Sequence, residues 1–257
     1  MRIAVLEDEL AIATAAADRI EEVYRSKPDF VIGLATGSSP LPLYAELVRR
    51  NEQGRISFER ARSFNLDEYV GLDRDHEEGY ANFIHRHLVD LVDMPEGAAH
   101  GPDGWRTDLD EGAADYDRTI REAGGVDVQV LGIGSDGHIG FNEPGGSLVS
   151  RTHVGVLTER TRRDNSRFFG GDLDAVPTHC VTQGLGTIME ARSCVLVATG
   201  EGKAEAVAAM IEGGVSARCP ASILQMHPDV LVLLDRAAAS RLELLDFYLE
   251  VQAASAR

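Results

Sequence analysis

The stretch FVIGLATGSSPLPLYAELVRRN, residues 30–51, joins a candidate strand, a turn and a candidate helix. Its first five residues are almost all apolar, which is typical of a strand that is covered on both faces. Ser39 and Pro40 then provide a helix cap and a proline at the first helical position, where the missing N–H costs nothing. This unit predicts a strand that feeds a helix, the building block of a parallel α/β sheet.

The same alternation continues along the chain. Further strands are predicted at residues 3–6, 62–66, 126–133, 154–157, 194–198 and 230–234. Helices are predicted at residues 9–24, 40–51, 79–92, 108–122, 203–211 and 237–251. Strands that alternate with helices form parallel sheets, and no linker rich in Pro, Gly and Ser divides the chain. We therefore predict one doubly wound α/β domain over residues 1–257, with a mainly parallel central sheet and helices on both faces.

The composition limits the kinds of partner. The 257 residues carry a formal net charge of −17, and such a field opposes binding to nucleic acid or to an anionic membrane surface. Three cysteines without a C-x-x-C pair favour neither a disulfide framework nor a zinc site and fit a reducing compartment. No apolar run is long enough to cross a membrane, and the acidic N-terminal stretch is unlike a secretory signal. We expect a cytoplasmic protein whose partner is a small molecule.

The glycine-rich stretch VLGIGSDGHIGFNEP, residues 130–144, raises the question of a nucleotide cofactor. Gly132, Gly134 and Gly137 match the G-x-G-x-x-G pattern of dinucleotide-binding loops. In those loops the last glycine opens a helix whose N-terminus faces the pyrophosphate. Here Gly137 leads into more turn residues, and no helix fits. The sequence therefore predicts no NAD site in this loop.

The same loop carries Asp136, His138 and Glu143. An imidazole flanked by carboxylates is held in one tautomer and made more basic, which suits proton transfer. For this loop alone, a structural turn with a solvated aspartate and a capping histidine is the alternative. No H-E-x-x-H or similar spacing occurs, so we predict no catalytic metal.

A second stretch, SFNLDEYVGL at residues 63–72, places Asp67 and Glu68 at the carboxyl end of a predicted strand. Adjacent carboxylates in such a place suit a general base and its support. A solvated turn explains the stretch equally well when it is taken alone.

Anion-binding groups occur at other predicted boundaries. The turn after the strand at residues 30–34 offers backbone N–H groups, small hydroxyls and the positive end of a helix dipole. The members of that turn are Thr36, Gly37, Ser38 and Ser39. Arg167 lies in the densest basic run of the chain. Lys203, one of two lysines, is predicted at the first position of a helix, where the positive end of the helix dipole disfavours a cation. A bound phosphate explains these positions, whereas a plain turn, a solvated helix face and an exposed lysine are the alternatives.

Taken together, these segments resemble the glucosamine-6-phosphate deaminase family. The matching stretches follow the family's order and span nearly the whole chain: ATGSSPLPLY, FNLDEYVGL, GIGSDGHIGFNEP, TRRDNSRFF, GEGKAEAV and LQMHPDV. The resemblance implies a cofactor-free conversion of glucosamine 6-phosphate to fructose 6-phosphate and ammonia. Two alternatives remain: a 6-phosphogluconolactonase, which shares the fold and an Asp-Gly-His loop, and a non-catalytic sugar-phosphate sensor.

The resemblance also implies roles for individual residues. Asp67 is expected to be the base at C2, and His138 is expected to open the sugar ring. Asp136 and Glu143 are expected to orient and tune His138. The expected phosphate ligands are Ser38, Ser39, Arg167 and Lys203. The segment at residues 158–180 is similar to a lid over the site.

The resemblance has one implication for regulation. Some bacterial members of the family are hexamers activated by N-acetylglucosamine 6-phosphate, with basic side chains in a run resembling SSLASRTRIK. This chain reads GSLVSRTHVG at residues 146–155, so that Gly146, His153 and Gly155 replace a serine, an arginine and a lysine. Loss of a guanidinium and an ammonium weakens a phosphate pocket. We expect no such activation, and a monomer or small homo-oligomer instead of an allosteric hexamer.

Overall fold

The structure is a computed structural model that describes residues 1–255. Those residues contain ten strands: β1 (Arg2–Leu6), β2 (Val31–Leu34), β3 (Arg62–Asn65), β4 (Asp67–Tyr69), β5 (Ala99–His100), β6 (Val128–Leu131), β7 (His153–Val156), β8 (His179–Thr182), β9 (Cys194–Ala198) and β10 (Val230–Asp235). The α-helices over the same residues are α1 (Glu9–Ser26), α2 (Leu41–Glu52), α3 (Tyr80–His87), α4 (Leu109–Glu122), α5 (Glu159–Asn165), α6 (Leu185–Ile188), α7 (Ala204–Ile211) and α8 (Leu245–Ser255). Short 3-10 helices lie at Val89–Leu91, Ser166–Phe169, Glu201–Lys203 and Pro220–Met226.

Seven strands form a parallel sheet in the order β1-β10-β9-β6-β2-β3-β5. Every residue of β2, β6 and β9 is buried. Because successive side chains of a strand point to opposite faces, both faces of this sheet are covered. The predicted α/β fold with a mainly parallel central sheet is confirmed.

The strand order reverses between β2 and β6. From β2 the sheet continues through β3 to β5, and from β6 it continues in the other direction through β9 to β10. In open parallel sheets, ligands bind in the crevice outside the carboxyl ends of the strands at such a reversal. The turn at residues 35–40 and the loop at residues 132–152 leave the sheet on either side of this crevice.

A second sheet is antiparallel and has the order β4-β8-β7. The strand predicted at residues 154–157 corresponds to β7, but it belongs to this small sheet and not to the parallel one. The final residues of the segment predicted as a lid, 179 and 180, belong to β8. The local pattern missed β4 and β8 because they are short and are stabilised by partners that are distant in sequence.

Other boundaries also differ from the predictions. The helix predicted at residues 237–251 begins only at Leu245, since the buried Ala238 and Ala239 pack in a turn whose N–H groups are bonded to Asp235. Ser39 does not cap α2, whose N-terminal flanking residue is Pro40. Over the described part of the chain, no helix combines the length and apolar character needed to span a bilayer.

Candidate active site

A cavity of about 570 Å³ lies at the carboxyl ends of β2, β3, β6 and β9. This volume falls in the range of small-molecule sites. Eight of the predicted site residues line the cavity: Thr36, Gly37, Ser38, Ser39, Asp67, His138, Arg167 and Lys203. The other two, Asp136 and Glu143, are not part of the lining.

Asp67 begins β4, immediately after the turn from β3. Its side chain lines the cavity although the residue is only 5% exposed. Burial, assisted by the negative charge of Glu68, raises the pKa of Asp67 well above its usual range. A carboxylate with a raised pKa is suited to act as a general base near neutral pH.

Glu68 has a structural role that the sequence did not indicate. Its Oε1 accepts hydrogen bonds from the backbone N–H groups of Tyr69 at 2.8 Å and Tyr80 at 2.9 Å. Its Oε2 accepts from the N–H of Ala81 at 2.9 Å. Glu68 therefore satisfies free N–H groups at the start of α3, and it influences Asp67 through its charge and not through a direct contact.

The loop after β6 makes room for the ring of His138. A Cβ atom at Gly134 would lie 2.3 Å from that ring, so only glycine fits there. Gly137 has a φ of +89°, a conformation that other residues rarely adopt. No helix occurs in residues 132–152, so the loop lacks the helix N-terminus of a dinucleotide site. The glycine pattern instead reflects a sharp turn around an imidazole.

Asp136 contacts His138 from outside the cavity lining. Its Oδ1 lies 2.7 Å from Nδ1 of His138, although the pair does not meet the geometry of a hydrogen bond. Catalytic hydrogen bonds are often poorly aligned before a substrate is bound. Burial favours a higher pKa for Asp136, but the imidazole of His138 outweighs it and holds the pKa of that carboxyl well below its usual value. An ionised Asp136 can therefore orient His138 and stabilise its protonated form.

Glu143 links the same loop to α5. Its Oε1 accepts hydrogen bonds from the hydroxyl of Thr161 at 2.5 Å and from that of Thr158 at 3.3 Å. The potential ligand atoms of Glu143, Asp136 and His138 lie within 4.8 Å of one another. This spacing is also compatible with a cation, so the expectation of a metal-free site stays a prediction.

Cationic groups gather at one end of the cavity. The guanidinium of Arg167 donates a hydrogen bond to Oγ of Ser38 at 3.3 Å. Burial lowers the pKa of Lys203, while the charge of Asp164 opposes this effect. Lys203 forms no ion pair or hydrogen bond with any residue between 1 and 255 through its side chain. A partly buried, unpaired ammonium beside a guanidinium and serine hydroxyls is suited to a phosphate.

Comparison with known proteins identifies the family of this fold and site. Residues 7–233 match the profile of a family described as glucosamine-6-phosphate isomerases/6-phosphogluconolactonase. The chain belongs to this family. A glucosamine-6-phosphate deaminase of Mycolicibacterium smegmatis is 59% identical over 97% of this chain and 96% of its own length. One of Beutenbergia cavernae is 56% identical over 99% of this chain and 97% of its own length. The family expected from the sequence motifs is confirmed.

Solved structures of the glucosamine-6-phosphate isomerase and 6-phosphogluconolactonase family agree with the fold. A monomeric glucosamine-6-phosphate deaminase superimposes with a TM-score of 0.91 at 38% identity, covering 94% of this chain and 100% of its own. A 6-phosphogluconolactonase of Trypanosoma brucei gives a TM-score of 0.74 at 22% identity, covering 94% of this chain and 98% of its own. The second likeness concerns the fold alone.

In this family member, several polar residues of the cavity escaped the sequence predictions. Three of them are Tyr80, Asp164 and Asn165. The hydroxyl of Tyr69 accepts hydrogen bonds from Nδ2 of Asn165 at 3.0 Å and from the hydroxyl of Tyr80 at 3.1 Å. Asp164 and Asn165 lie inside the TRRDNSRFF motif, so their closeness in sequence to Arg167 could have indicated that they line the site. Tyr80 had no comparable signal.

Proposed function

We propose that this chain is a glucosamine-6-phosphate deaminase, which converts glucosamine 6-phosphate and water to fructose 6-phosphate and ammonia. The observation that carries the proposal is a buried Asp67 with a raised pKa in the same cavity as His138 and a cationic end. The names of the relatives that match almost the full chain support it. The catalytic residues are Asp67, Asp136, His138 and Glu143.

The reaction begins with ring opening. His138 transfers a proton to the ring oxygen as the hydroxyl at C1 loses its own, which releases the aldehyde. Asp67 then removes the proton from C2 and returns it to C1, while the amine loses a proton and the C1 oxygen gains one. C1 thereby becomes a CH₂OH group, and the double bond moves to C2 and nitrogen. Water adds to C2, and ammonia leaves. General acid–base groups are sufficient for each of these steps.

The phosphate provides the binding energy that positions the reacting carbons. Ser38, Ser39, Arg167 and Lys203 bind it, and the backbone N–H groups of the turn at residues 36–39 add further donors. Because the phosphate does not react, its contacts serve to place C1 and C2 against Asp67 and His138.

We further propose that residues 158–180 form a lid and that residues 1–257 form a single domain, of which residues 256 and 257 lie outside the described part of the chain. Two hydrogen bonds support the lid, from Asn165 to Tyr69 and from Arg167 to Ser38, because both join this segment to the cavity floor.

The monomeric state of the related deaminase supports a monomer or small homo-oligomer. Three free, buried cysteines fit the cytoplasm, and the net charge of −17 disfavours nucleic-acid partners.

One assay distinguishes this proposal from the lactonase alternative. The purified protein is incubated with glucosamine 6-phosphate in the presence of a chelator and without NAD, and ammonia and fructose 6-phosphate are both measured. We expect equal amounts of the two products. Hydrolysis of 6-phosphogluconolactone without any product from the amino sugar would show that the chain is a lactonase.

A further inference from the structure

Asp67 and His138 follow strands that are not neighbours in the parallel sheet. Asp67 follows β3, the loop of His138 follows β6, and β2 lies between these strands. Adjacent strands are about 4.8 Å apart, so the sheet alone places the two strand ends roughly 10 Å apart. To act on one small substrate, the base and the imidazole need a connection outside the parallel sheet.

Thr182, the last residue of β8, supplies one such connection. It lies opposite Asp67 in the antiparallel sheet, and its Oγ1 accepts a hydrogen bond from the backbone N–H of Phe141 at 3.0 Å. A Cβ atom at Gly140 would lie 3.1 Å from this hydroxyl and 3.7 Å from Oδ2 of Asp67. The hydroxyl thus holds the loop of His138 at the point where the loop passes the carboxylate of Asp67.

Gln183 supplies the second connection. Its backbone N–H donates to the carbonyl of Leu66 at 2.7 Å, and its Nε2 donates to the carbonyl of Asn65 at 3.0 Å. Its own carbonyl accepts from Nδ2 of Asn142 at 2.8 Å. Two of these bonds hold the residues directly before Asp67, and the third holds the catalytic loop.

These connections lie where water cannot replace them. Thr182 is 0% and Gln183 is 1% exposed, and Asn142 is also buried. Removal of the Thr182 hydroxyl leaves the buried backbone N–H of Phe141 without a hydrogen bond, which is costly. The loop then has to move to regain a partner. Removal of the Gln183 amide leaves the carbonyl of Asn65 with only the hydroxyl of Tyr116, which donates to it at 2.7 Å.

We propose that Thr182 and Gln183 are positioning residues that set the separation between Asp67 and His138. Neither residue lines the cavity, so both act through the groups that they hold. The inference rests on the proposed deaminase reaction, in which Asp67 and His138 act on one substrate. A misplacement of about 1 Å in such groups costs roughly 10²-fold in rate.

Two nearly isosteric variants test this role. Thr182→Val removes the hydroxyl, and Gln183→Met removes the amide while keeping the length of the side chain. We expect kcat to fall roughly 10–100-fold in Thr182→Val and by a smaller factor in Gln183→Met, in which the backbone bonds to Leu66 and Asn142 remain. KM for glucosamine 6-phosphate should change less than about threefold, because the phosphate site is untouched. Thr182→Ser restores the hydroxyl and should recover most of kcat.

Matched controls make the same changes elsewhere. The hydroxyl of Thr187 donates to Asp117, and the side-chain amide of Gln225 donates to two backbone carbonyls. Neither Thr187 nor Gln225 lines the cavity. Thr187→Val and Gln225→Met should lower the melting temperature and retain kcat. If the variants at Thr182 and Gln183 also retain kcat, or if the controls lose it equally, the positioning role is overturned.

A crystal structure of Thr182→Val separates failure of this inference from failure of the proposed reaction. We expect the distance between Asp67 and His138 to differ from that in the wild type by at least about 0.5 Å, the tolerance of a catalytic geometry. An unchanged distance overturns the positioning role, whatever the substrate is. A changed distance in a protein whose wild type releases no ammonia supports the positioning role and refutes only the reaction.

Discussion

Oδ1 of Asp136 lies 2.7 Å from Nδ1 of His138, yet of the two residues only His138 lines the cavity. The imidazole holds the pKa of Asp136 well below its usual value, so this carboxylate is ionised at neutral pH. A fixed negative charge behind the ring selects its tautomer and stabilises the imidazolium that forms during ring opening.

Asp136→Asn should therefore lower kcat by roughly 10²–10⁴-fold, because the amide keeps the shape but not the charge. KM should change little, since Asp136 does not line the cavity. Steady-state assays of ammonia release measure both constants. Asp115→Asn is the matched control, because Asp115 pairs with Arg106 at 2.6 Å outside the cavity lining. An Asp136→Asn variant with normal kcat would contradict the role given to this charge.

Asp67→Asn should abolish most turnover while retaining substrate binding. The amide cannot accept the C2 proton, so we expect kcat to fall roughly 10²–10⁴-fold, the usual range for a lost general base. Exchange of the C2 proton with solvent deuterium, followed by mass spectrometry, should disappear in parallel. A variant that still exchanges this proton at the wild-type rate would show that another group is the base.

The same substitution should stabilise the protein at neutral and alkaline pH. Folding raises the pKa of Asp67 above its ordinary value of 3.8, so the folded state binds this proton more tightly than the unfolded state does. Stability is then lost as the pH rises from about 3.8 through the folded pKa. Asn cannot ionise, so Asp67→Asn should melt at a higher temperature than the wild type at pH 8, and the difference should shrink towards pH 4.

Asp127 provides the control for this stability prediction. It is as buried as Asp67, at 5% exposed, but its carboxylate contacts Lys27 at 2.7 Å and Arg192 at 2.8 Å. Asp127→Asn leaves these cations without their partner and should lower the melting temperature. If both variants shift it in the same direction, the cost assigned to the buried charge of Asp67 is wrong.

Lys203→Ala should mainly weaken substrate binding. Loss of one charge-assisted hydrogen bond costs about 1.5–3 kcal/mol, or roughly 10–150-fold in KM. The only other lysine of the chain, Lys27, pairs with Asp127 outside the cavity lining, so Lys27→Ala is a control of identical chemistry. An unchanged KM in Lys203→Ala would show that this ammonium does not bind the phosphate.

The sequence predicts which residues line the site better than it predicts which residues hold them in position relative to one another. Asp67, His138 and Lys203 were found because each follows a predicted strand, and the carboxyl ends of parallel strands meet at one edge of the sheet. Thr182 and Gln183 gave no such signal. Their importance depends on the pairing of β8 with β4, two short strands that are distant in sequence, and on hydrogen bonds to backbone groups, which any residue can offer.

The run at residues 146–155 decides the regulatory prediction. Arg151 is its one remaining Arg or Lys, and its guanidinium is already bonded to Asp117 at 2.7 Å and to Glu190 at 2.6 Å. Nδ1 of His153 lies 2.8 Å from the carbonyl of Arg151. A Cβ atom at Gly155 would lie 3.1 Å from the sulfur of Cys180, so a lysine there would require that sulfur to give way.

No permanently charged cation in this run is therefore left for the phosphate of an activating sugar. We expect hyperbolic kinetics in glucosamine 6-phosphate and no activation by N-acetylglucosamine 6-phosphate at neutral pH. Saturation curves with and without the acetylated sugar test this, and sedimentation of the same sample gives the oligomeric state, expected to be a monomer or small homo-oligomer. A sigmoidal curve that the acetylated sugar makes hyperbolic would show that a cation outside this run forms an activator site.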